Sequence, residues 1–309
     1  RLTHSNVASA VRASQSLLGN TQNDRWLLTL PLFHIGGLSI LWRSAAVAGT
    51  VVVHDRFDAS RAAAAINDGA VSMASMVPTM LYRMLEADPG PYSGMRAVLL
   101  GGAPASRELV ERALDAGLPV LQTYGMTETC SQLATVAPGE ALDSLGTAGR
   151  PLDGFVVSTG GAGVGEIVVS GPSVSPGYLG EPDRAGEYRT GDIGYVDDTG
   201  RLVVLGRADD MVITGGENVY PSRVAHVLTG HPAVEQVEVV GVPDPEWGQA
   251  LVAIVVGDKT ARAAIERWAQ DQLPRHEVPK RWVFVAELPL LAGGKIDRGA
   301  VADTARMAQ

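Results

Sequence analysis

Hydrophobic residues in the first 145 positions follow two alternating spacings. Apolar residues three and four apart predict helices at about 5–18, where Gly19 ends the pattern, and again at 38–48, 59–69, from Pro78 onward and at 106–116. Short continuous apolar runs predict buried strands at 26–30, 50–53, 71–74, 97–100 and 119–122. Helices and strands that alternate at this spacing imply a parallel sheet with helices on both faces.

The pattern changes twice further along the chain. Between about residues 146 and 206, short β-rich runs are separated by Gly, Asp and Pro, and "DDTG" at 197–200 predicts a hairpin turn. After Arg207 the pattern predicts a helix at 221–228, strands at 234–240, 251–256 and 282–285, and a helix at 262–273. The predicted fold class is therefore α/β: a parallel-sheet large domain over 1–206, made of an α/β part (1–145) and a small β-subdomain (146–206), followed by a compact α+β C-terminal domain over 210–309.

Composition and charge narrow the functional classes. The 309 residues carry 25 Lys and Arg against 34 Asp and Glu, a net charge of −9, which argues against general binding of nucleic acids or anionic membranes but not of anionic small molecules. The only cysteine is Cys130, which excludes an internal disulfide and favours the cytoplasm. No apolar run reaches the length of a membrane span, and the six histidines form no cluster at zinc-ligand spacing.

Three unusual segments follow predicted strands: "LPLFHIGG" at 30–37, "GGAPAS" at 101–106 and "TYGMTET" at 123–129. Because ligands of parallel α/β sheets bind at the carboxyl ends of strands, we expect these segments to share one edge and form a site. Thr127 and Glu128 offer a hydroxyl and a carboxylate suited to a phosphate and its Mg²⁺, and Tyr124 offers a flat face for a base. The alternative is an ordinary turn with a capping Thr-Glu pair.

Further polar residues stand in the second half of the chain. Asp192 lies in a Thr-Gly-Asp turn and could accept both hydrogen bonds of a ribose diol, while Arg207 could donate to the same sugar or to a phosphate. Gly215 and Gly216 would leave room for a closely approaching ligand. The alternative is a hairpin, a linker and a helix entry, which the specific order of Asp192, Arg207, Asp209, Gly216 and Glu217 disfavours. Lys295 follows two glycines, which alone is most typical of a solvated turn.

Four motifs together identify a resemblance: "YGMTE", "YRTGD", "GRADDMVITGGENVYP" and "LPRHEVPKRWVFVAELPLLAGGKIDR". In order and spacing they resemble the adenylate-forming superfamily of acyl-CoA synthetases, luciferases and peptide-synthetase adenylation domains. The segment "LPLFHIGGLSILWRSAAVAGTVVVHDRFD" is most similar to the 2-succinylbenzoate–CoA ligases of menaquinone biosynthesis. The resemblance implies an acid–thiol ligase that uses ATP, Mg²⁺ and CoA. A carboxylate attacks the α-phosphate of MgATP to form an acyl-adenylate, and CoA then displaces AMP.

The resemblance also implies a role for each motif residue of the large domain. Thr127 would contact the α-phosphate, Glu128 would hold Mg²⁺, and His34 would stand between the acyl pocket and the CoA tunnel. The second carboxylate of 2-succinylbenzoate needs a cation, for which Arg43 is the candidate; the alternative is a surface helix arginine. The residues expected around the adenine are Gly101, Gly102, Ala103, Pro104, Tyr124 and Gly125.

In the C-terminal part, the resemblance implies that Asp192 and Arg207 bind the ribose. Residues 207–209 would be a hinge centred on Asp209, about which a mobile C-terminal domain turns. Gly215 and Gly216 would line the pantetheine tunnel. Lys295 would reach the carboxylate and the α-phosphate oxygens during adenylation.

One part of the superfamily pattern is expected immediately before "LTHSN", namely a Gly-rich phosphate loop, and the sequence begins there at Arg1. The N-terminal part of the large domain is thus missing from the predicted fold, and we expect the chain alone to adenylate poorly while still binding AMP-like ligands and CoA. Three alternatives remain open: a CoA ligase for another small aromatic or aliphatic acid, a non-catalytic nucleotide- or CoA-binding remnant, and a carrier-protein adenylation domain with a carrier segment after Gln309. Whether the chain forms a homo-oligomer is also open.

Overall fold

The structure is a computed structural model that describes residues 1–161, 163–184, 186–291 and 296–307. The chain divides into two compact units. The first unit comprises Arg1–Ala105, Leu109–Thr190 and Gly194–Val204; the second comprises Ser106–Glu108, Gly191–Ile193 and the chain from Leu205 onward. The domain borders expected from the sequence, including a hinge at 207–209, stay predictions.

A seven-stranded sheet organises the first unit, in the order β2-β1-β3-β4-β5-β6-β7. Strands β1 to β5 pair in parallel, whereas β6 and β7 add antiparallel strands that the sequence pattern did not predict. The strands are β1 Arg25–Leu28, β2 Thr50–Val53, β3 Met73–Met76, β4 Ala97–Gly101, β5 Val120–Met126, β6 Ser131–Thr135 and β7 Arg150–Pro151. The helices are α1 His4–Leu18, α2 Ile35–Ala46, α3 Ala59–Asn67, α4 Pro78–Ala87 and α5 Arg107–Asp115.

Capping contacts and turn residues define the ends of these helices. Thr3 and Asn6 form a reciprocal capping box at the start of α1, which ends at the left-handed Gly19 with φ of 57°. The Asp58 side chain accepts from the backbone N–H of Arg61 at the start of α3, and Pro78 occupies the first turn of α4, where its missing N–H costs nothing.

Both faces of the parallel sheet are covered, as the sequence predicts. On one face Leu27 and Leu100 lie in a core that includes Ile66, Leu81 and Val110 of helices α3, α4 and α5. On the other face the core includes Leu18 of α1 and Ile40 of α2, together with Trp26, Leu28, Met73, Leu99 and Leu121. Successive strand residues alternate between the two cores because side chains alternate across a strand.

A four-stranded sheet, in the order β11-β10-β9-β8, matches the predicted β-subdomain. Its hairpin turn lies at the predicted "DDTG", where Gly200 N donates to Asp197 O at 2.9 Å and the Asp197 carboxylate accepts from the N–H groups of Thr199 and Arg201. The strands are β8 Val156–Ser158, β9 Gly165–Ser170, β10 Glu187–Val196 and β11 Leu202–Arg207.

The second unit has a sheet of order β13-β12-β15-β14, with β16 pairing in parallel with β15. One face packs on α6 and α7 through Val224, Leu228 and Ile265, and the other packs on α8 through Val301 and Ala305. The predicted α/β class with a small β-sheet and an α+β C-terminal unit is confirmed. The elements are β12 Val212–Thr214, β13 Glu217–Val219, α6 Pro221–Leu228, β14 Val234–Asp244, β15 Gly248–Gly257, α7 Arg262–Gln272, β16 Arg281–Phe284 and α8 Arg298–Met307. Among the described helices, none combines the length and hydrophobicity needed to cross a membrane.

Candidate active site

The three segments that follow predicted strands lie at one edge of the large sheet. Strands β1, β3, β4 and β5 are parallel neighbours, so their carboxyl ends face the same way. The "LPLFHIGG" segment follows β1, "GGAPAS" continues from the end of β4, and "TYGMTET" ends β5. The expectation of a shared edge is therefore confirmed, and this edge is the candidate site of the first unit.

The loop after β4 provides an open, side-chain-poor surface. Gly102, Ala103 and Pro104 are exposed, and Gly102 has φ of 83°, a left-handed conformation that glycine adopts without strain. A Cβ on Gly101 would lie 2.9 Å from Cγ2 of Thr123, so the close approach of β4 and β5 requires glycine there. This surface suits the flat face of a base, and the adenine-binding role of these residues stays a prediction.

The end of β5 is shaped by a second close approach. The register between β5 and β6 shifts between Tyr124 and Gly125, and a Cβ on Gly125 would lie 1.7 Å from the carbonyl oxygen of Ser131. Glycine at position 125 is thus required by the strand geometry. Tyr124 itself is half-buried and packs against the core beneath the β-subdomain.

Thr127 and Glu128 stand on a tightly held turn. Residues Thr127–Thr129 form a short 3₁₀ helix, in which the buried Thr129 hydroxyl accepts from Met126 N at 3.1 Å. The turn is therefore capped by the hydroxyl of Thr129. Thr127 and Glu128 do not form the capping pair of the ordinary turn that was the alternative interpretation. The Thr127 side chain stays exposed and Glu128 is half-buried, so both are available to a ligand.

Two strained residues complete the turn. Cys130 and Ser131 have φ values of 58° and 98°, a region that non-glycine residues rarely occupy. Such strain costs of order 1–3 kcal/mol per residue and persists where the surroundings enforce it. Here it reverses the chain within two residues and directs Ser131 toward helix α2.

The residues present fit a magnesium ion that arrives with a nucleotide. Mg²⁺ is usually held by one or two carboxylates together with substrate phosphates and water, and Glu128 with the Thr127 hydroxyl offers such a partial set. Among the described residues no group of three or more His, Cys, Asp and Glu side chains could hold a metal. Neither observation assigns the metal, and the role of Glu128 stays a prediction.

Arg43 is buried, not a surface arginine. Its side chain is 5% exposed on α2, its Nη2 donates to Ser131 Oγ at 3.0 Å, and its guanidinium lies 5.5 Å from the centroid of the Trp26 ring. Ser131 Oγ in turn donates to Ser39 Oγ at 3.2 Å. Within the described part of the chain, Arg43 forms no ion pair with a carboxylate.

This burial acts on the charge of Arg43. Burial lowers the pKa of the guanidinium to about 10, a shift that Cys130 opposes only in part. The same burial raises the pKa of the Cys130 thiol to about 11, so at neutral pH the thiol is uncharged and cannot neutralise the arginine. A buried, protonated guanidinium with two hydroxyls beside it is suited to binding an anion.

His34 lies at the start of α2, the helix that also carries Arg43. It is the N-cap residue without a capping side-chain bond, and its ring is exposed beside Phe33, with ring centroids 4.6 Å apart. Phe33 is 84% exposed, an unusual position for a large apolar side chain. The structure thus places two exposed rings at the sheet edge, and the role of His34 at the mouth of a tunnel stays a prediction.

In the second unit, Asp192, Arg207 and Asp209 lie together. Arg207 Nη1 lies 3.6 Å from Asp192 Oδ1, and its Nε donates to Asp209 Oδ1 at 3.1 Å. The hydrogen bond from Arg207 is the main reason that the pKa of Asp209 falls below its usual range. Asp192 is only 8% exposed, and a carboxylate at this position could accept both hydrogen bonds of a diol. Their roles in ribose binding and in a hinge remain untested predictions.

Gly215 and Gly216 form the two-residue turn between β12 and β13. Their φ values are 59° and 86°, and such a turn needs positive φ at both positions. The hairpin alternative from the sequence is thus sufficient to explain both glycines, although a Cβ on Gly215 would also lie 3.0 Å from the Trp247 ring. A tunnel role for them stays a prediction. Lys295 lies outside the described residues.

Sequence reasoning missed the contacts around two predicted residues. Tyr178, in the exposed segment before β10, donates a hydrogen bond to Glu128 Oε1 at 2.5 Å, 50 residues away in sequence. The sequence also did not indicate that Arg43 donates to the hydroxyl of Ser131, which in turn donates to Ser39. "SPGYLGEP" reads as a loop, and nothing in its local pattern indicated a contact with Glu128.

A parallel sheet with glycine loops, a hydroxyl and a carboxylate at its carboxyl edge is typical of nucleotide-binding α/β proteins. Sequence comparison is more specific, because the chain belongs to the AMP-binding enzyme family: the family profile matches residues 1–179, and that of the AMP-binding enzyme C-terminal domain matches residues 223–295.

Similar proteins include the 2-succinylbenzoate–CoA ligase of Bacillus licheniformis, which is 43% identical over 305 residues, covering 94% of this chain and 63% of the relative. Among solved structures, the o-succinylbenzoate CoA synthetase of Bacillus subtilis in complex with the acyl-adenylate intermediate OSB-AMP has a TM-score of 0.86 and 38% identity, over 97% of this chain and 65% of that one. The same enzyme in complex with ATP and magnesium ion has a TM-score of 0.85 and 37% identity, over 98% and 66%. The chain thus spans less than two-thirds of the length of these relatives.

Proposed function

We propose that the complete gene product is an ATP-dependent acid–CoA ligase that converts 2-succinylbenzoate to 2-succinylbenzoyl-CoA in menaquinone biosynthesis. Membership of the AMP-binding enzyme family supports the reaction type. The similarity to proteins named 2-succinylbenzoate–CoA ligase, and to a structure that holds an acyl-adenylate, supports the substrate. A cytoplasmic location follows from the proposal, because ATP and CoA are available there and the chain needs no disulfide.

The first half-reaction joins a carboxylate oxygen to the α-phosphorus of ATP and releases pyrophosphate. Negative charge accumulates on the phosphoryl oxygens, and fixed donors lower the barrier. We assign Thr127 to the α-phosphate and Lys295 to the reacting carboxylate and phosphate oxygens. Mg²⁺, when bound, neutralises charge on the phosphates, and Glu128 would hold it. Gly101–Pro104 and Tyr124 would enclose the adenine.

The second half-reaction forms the thioester bond. The CoA thiolate attacks the acyl carbon, and AMP leaves with the electron pair of the broken acyl–phosphate bond. We assign Asp192 and Arg207 to the ribose, which holds AMP in place through both half-reactions. Rotation at Asp209 would exchange Lys295 for the tunnel residues Gly215 and Gly216, with His34 at the mouth of the tunnel.

The buried Arg43 is the observation that carries the choice of acid. 2-Succinylbenzoate has two carboxylates, of which one is activated and the other needs a partner. Arg43 with the hydroxyls of Ser39 and Ser131 forms a buried cationic site that has no carboxylate partner among the described residues. A buried charge without a partner is costly, so a ligand that supplies the counter-charge explains its presence.

A panel of acids tests the substrate. The full-length gene product is assayed with ATP, Mg²⁺ and CoA on 2-succinylbenzoate, on 4-oxo-4-phenylbutanoate, which lacks the ring carboxylate, and on benzoates and fatty acids. Pyrophosphate release reports adenylation, and thioester formation reports the second step. We expect the highest kcat/KM with 2-succinylbenzoate. A higher kcat/KM with a monocarboxylate would contradict the substrate, and binding of AMP without turnover of any acid would favour a non-catalytic remnant.

A further inference from the structure

The segment that carries Tyr178 is fastened to the Glu128 turn. Asn6 of α1 donates from Nδ2 to the carbonyl oxygens of Pro172 (2.8 Å) and Val174 (2.9 Å). Ser175 N then donates to the backbone oxygen of Glu128 at 2.8 Å. The main chain three residues before Tyr178 is therefore fixed relative to Glu128, although the two residues are 50 positions apart.

The Tyr178 ring packs against the guanidinium of Arg184. The Arg184 guanidinium lies 4.7 Å from the centroid of the Tyr178 ring and 4.6 Å from that of the Tyr188 ring. Arg184 N also donates to Pro176 O at 2.8 Å, and its Nη1 is buried with no hydrogen-bond partner among the described residues. A guanidinium between two aromatic faces restricts both rings, so the orientation of the Tyr178 hydroxyl is set by packing as well as by its hydrogen bond.

The hydroxyl binds one of the two carboxylate oxygens of Glu128. It donates to Oε1, and among the described residues no hydrogen bond to Oε2 is found. The terminal torsion of a glutamate side chain is broad and roughly two-fold. A donor on one oxygen selects one orientation and leaves the other oxygen facing away from the donor. Tyr178 is 43% exposed, so solvent and ions can reach the pair.

We propose that Tyr178 is a positioning residue that orients the Glu128 carboxylate for a Mg²⁺–nucleotide, with Arg184 fixing the ring. The inference rests on the proposed function in one respect, the assignment of Glu128 as the metal ligand. Outer partners of ligating carboxylates commonly act in this way, and their loss typically costs 10–100-fold in metal affinity. The opposite role is a latch, in which Tyr178 competes with the metal for the carboxylate.

The test measures how much Mg²⁺ strengthens nucleotide binding, without turnover. Isothermal titration gives the Kd of ATP for the full-length gene product with saturating Mg²⁺ and with EDTA, and the ratio of the two is the metal increment. Tyr178→Phe removes the hydroxyl and keeps the ring against Arg184. Tyr195→Phe, in the neighbouring strand β10, is the matched control. We expect Tyr178→Phe to reduce the increment at least tenfold, with the Kd in EDTA and the Tm unchanged, and Tyr195→Phe to change none of them.

Further arms separate the possible failures. An unchanged increment in Tyr178→Phe overturns the positioning role, and a larger increment overturns it in favour of a latch. Glu128→Gln should lower the increment, and adding Tyr178→Phe to it should have no further effect if the two residues act as one unit. If Glu128→Gln keeps the increment, the metal assignment fails and this inference fails with it. If Glu128→Gln removes the increment and Tyr178→Phe does not, only the inference fails. The acid panel tests the ligase activity separately.

Discussion

Replacing Arg43 by methionine should stabilise the ligand-free protein and weaken binding of the dicarboxylate. Methionine occupies most of the space of the aliphatic part of the arginine side chain and removes the charge, but it leaves the space of the guanidinium partly unfilled. If Arg43 stabilises the fold, its replacement should lower the stability of the protein. If it is kept for a ligand, its replacement should raise the stability of the ligand-free protein, because buried ion-binding groups are often costly until the ligand binds. The two roles therefore predict opposite signs for the change in the free energy of unfolding.

The magnitude follows from the pKa of Arg43, which burial lowers from 12.5 to about 10. A shift of about 2.5 units corresponds to about 3 kcal/mol of penalty on the charged form in the folded chain. Because the pKa is lower in the folded chain, the penalty is present throughout the range below pH 10, and stability should rise with pH between about 10 and 12.5. Removing the charge also removes the bond to Ser131 and the contact with Trp26, each worth about 1 kcal/mol. The expected net change is a gain of up to about 1 kcal/mol, because the unfilled space around the shorter side chain lowers it.

Two measurements check this prediction. Urea unfolding followed by tryptophan fluorescence should show the gain in Arg43→Met and no change in Arg56→Met, an exposed position in the chain that loses the same charge. The KM for 2-succinylbenzoate should rise about 10–100-fold in Arg43→Met, as expected for loss of a charge-assisted bond worth about 1.5–3 kcal/mol. The KM for 4-oxo-4-phenylbutanoate should stay within about twofold. Loss of stability together with an unchanged KM for the dicarboxylate would refute the reasoning.

Three further outcomes are expected. Gly125→Ala should destabilise the fold by about 1–3 kcal/mol, because its Cβ would lie 1.7 Å from Ser131 O, while Gly161→Ala, which meets no atom within 4 Å, should change little in the same urea titration. Lys295→Ala should abolish pyrophosphate release yet retain thioester formation from added acyl-adenylate. An equal loss of both rates would contradict a specific role in adenylation and favour a lysine in a solvated turn. Asp192→Asn should weaken ATP about tenfold or more by calorimetry but hardly change binding of 2′,3′-dideoxy-ATP; a similar loss for both nucleotides would count against a ribose contact.

Much of the fold was predictable from local pattern. Alternating helical and strand periodicities predict the parallel sheet, and the caps at Thr3, Asp58 and Pro78 begin helices within a few residues of the expected positions. Strands β6 and β7 escaped prediction because their pairing depends on the reversal at Cys130 and Ser131, which adopt positive φ without glycine. A turn of this kind cannot be recognised from the sequence here, because Gly, Asn and Asp, the residues typical of positive φ, are absent from it.

The motif residues of the candidate site could be predicted from the sequence, but the tertiary contacts that hold them could not. Topology alone brings the ends of β4 and β5 to one edge, so Thr127 and Glu128 could be placed from the sequence. The burial of Arg43 could not, because a single arginine on an otherwise ordinary helix is usually solvated and its environment comes from Trp26 and Ser131 on other elements. The same holds for Tyr178, whose partner is fixed only by tertiary structure.

The burial of Cys130 makes the chain a convenient host for site-specific labelling. It is the only cysteine in the sequence, its side chain is 1% exposed, and its raised pKa keeps the thiolate population low at neutral pH. A maleimide dye or nitroxide should therefore react with an introduced surface cysteine and leave the native one unmodified. One cysteine placed in each of the two units would carry a fluorophore pair, and energy transfer between them would report the distance between the units.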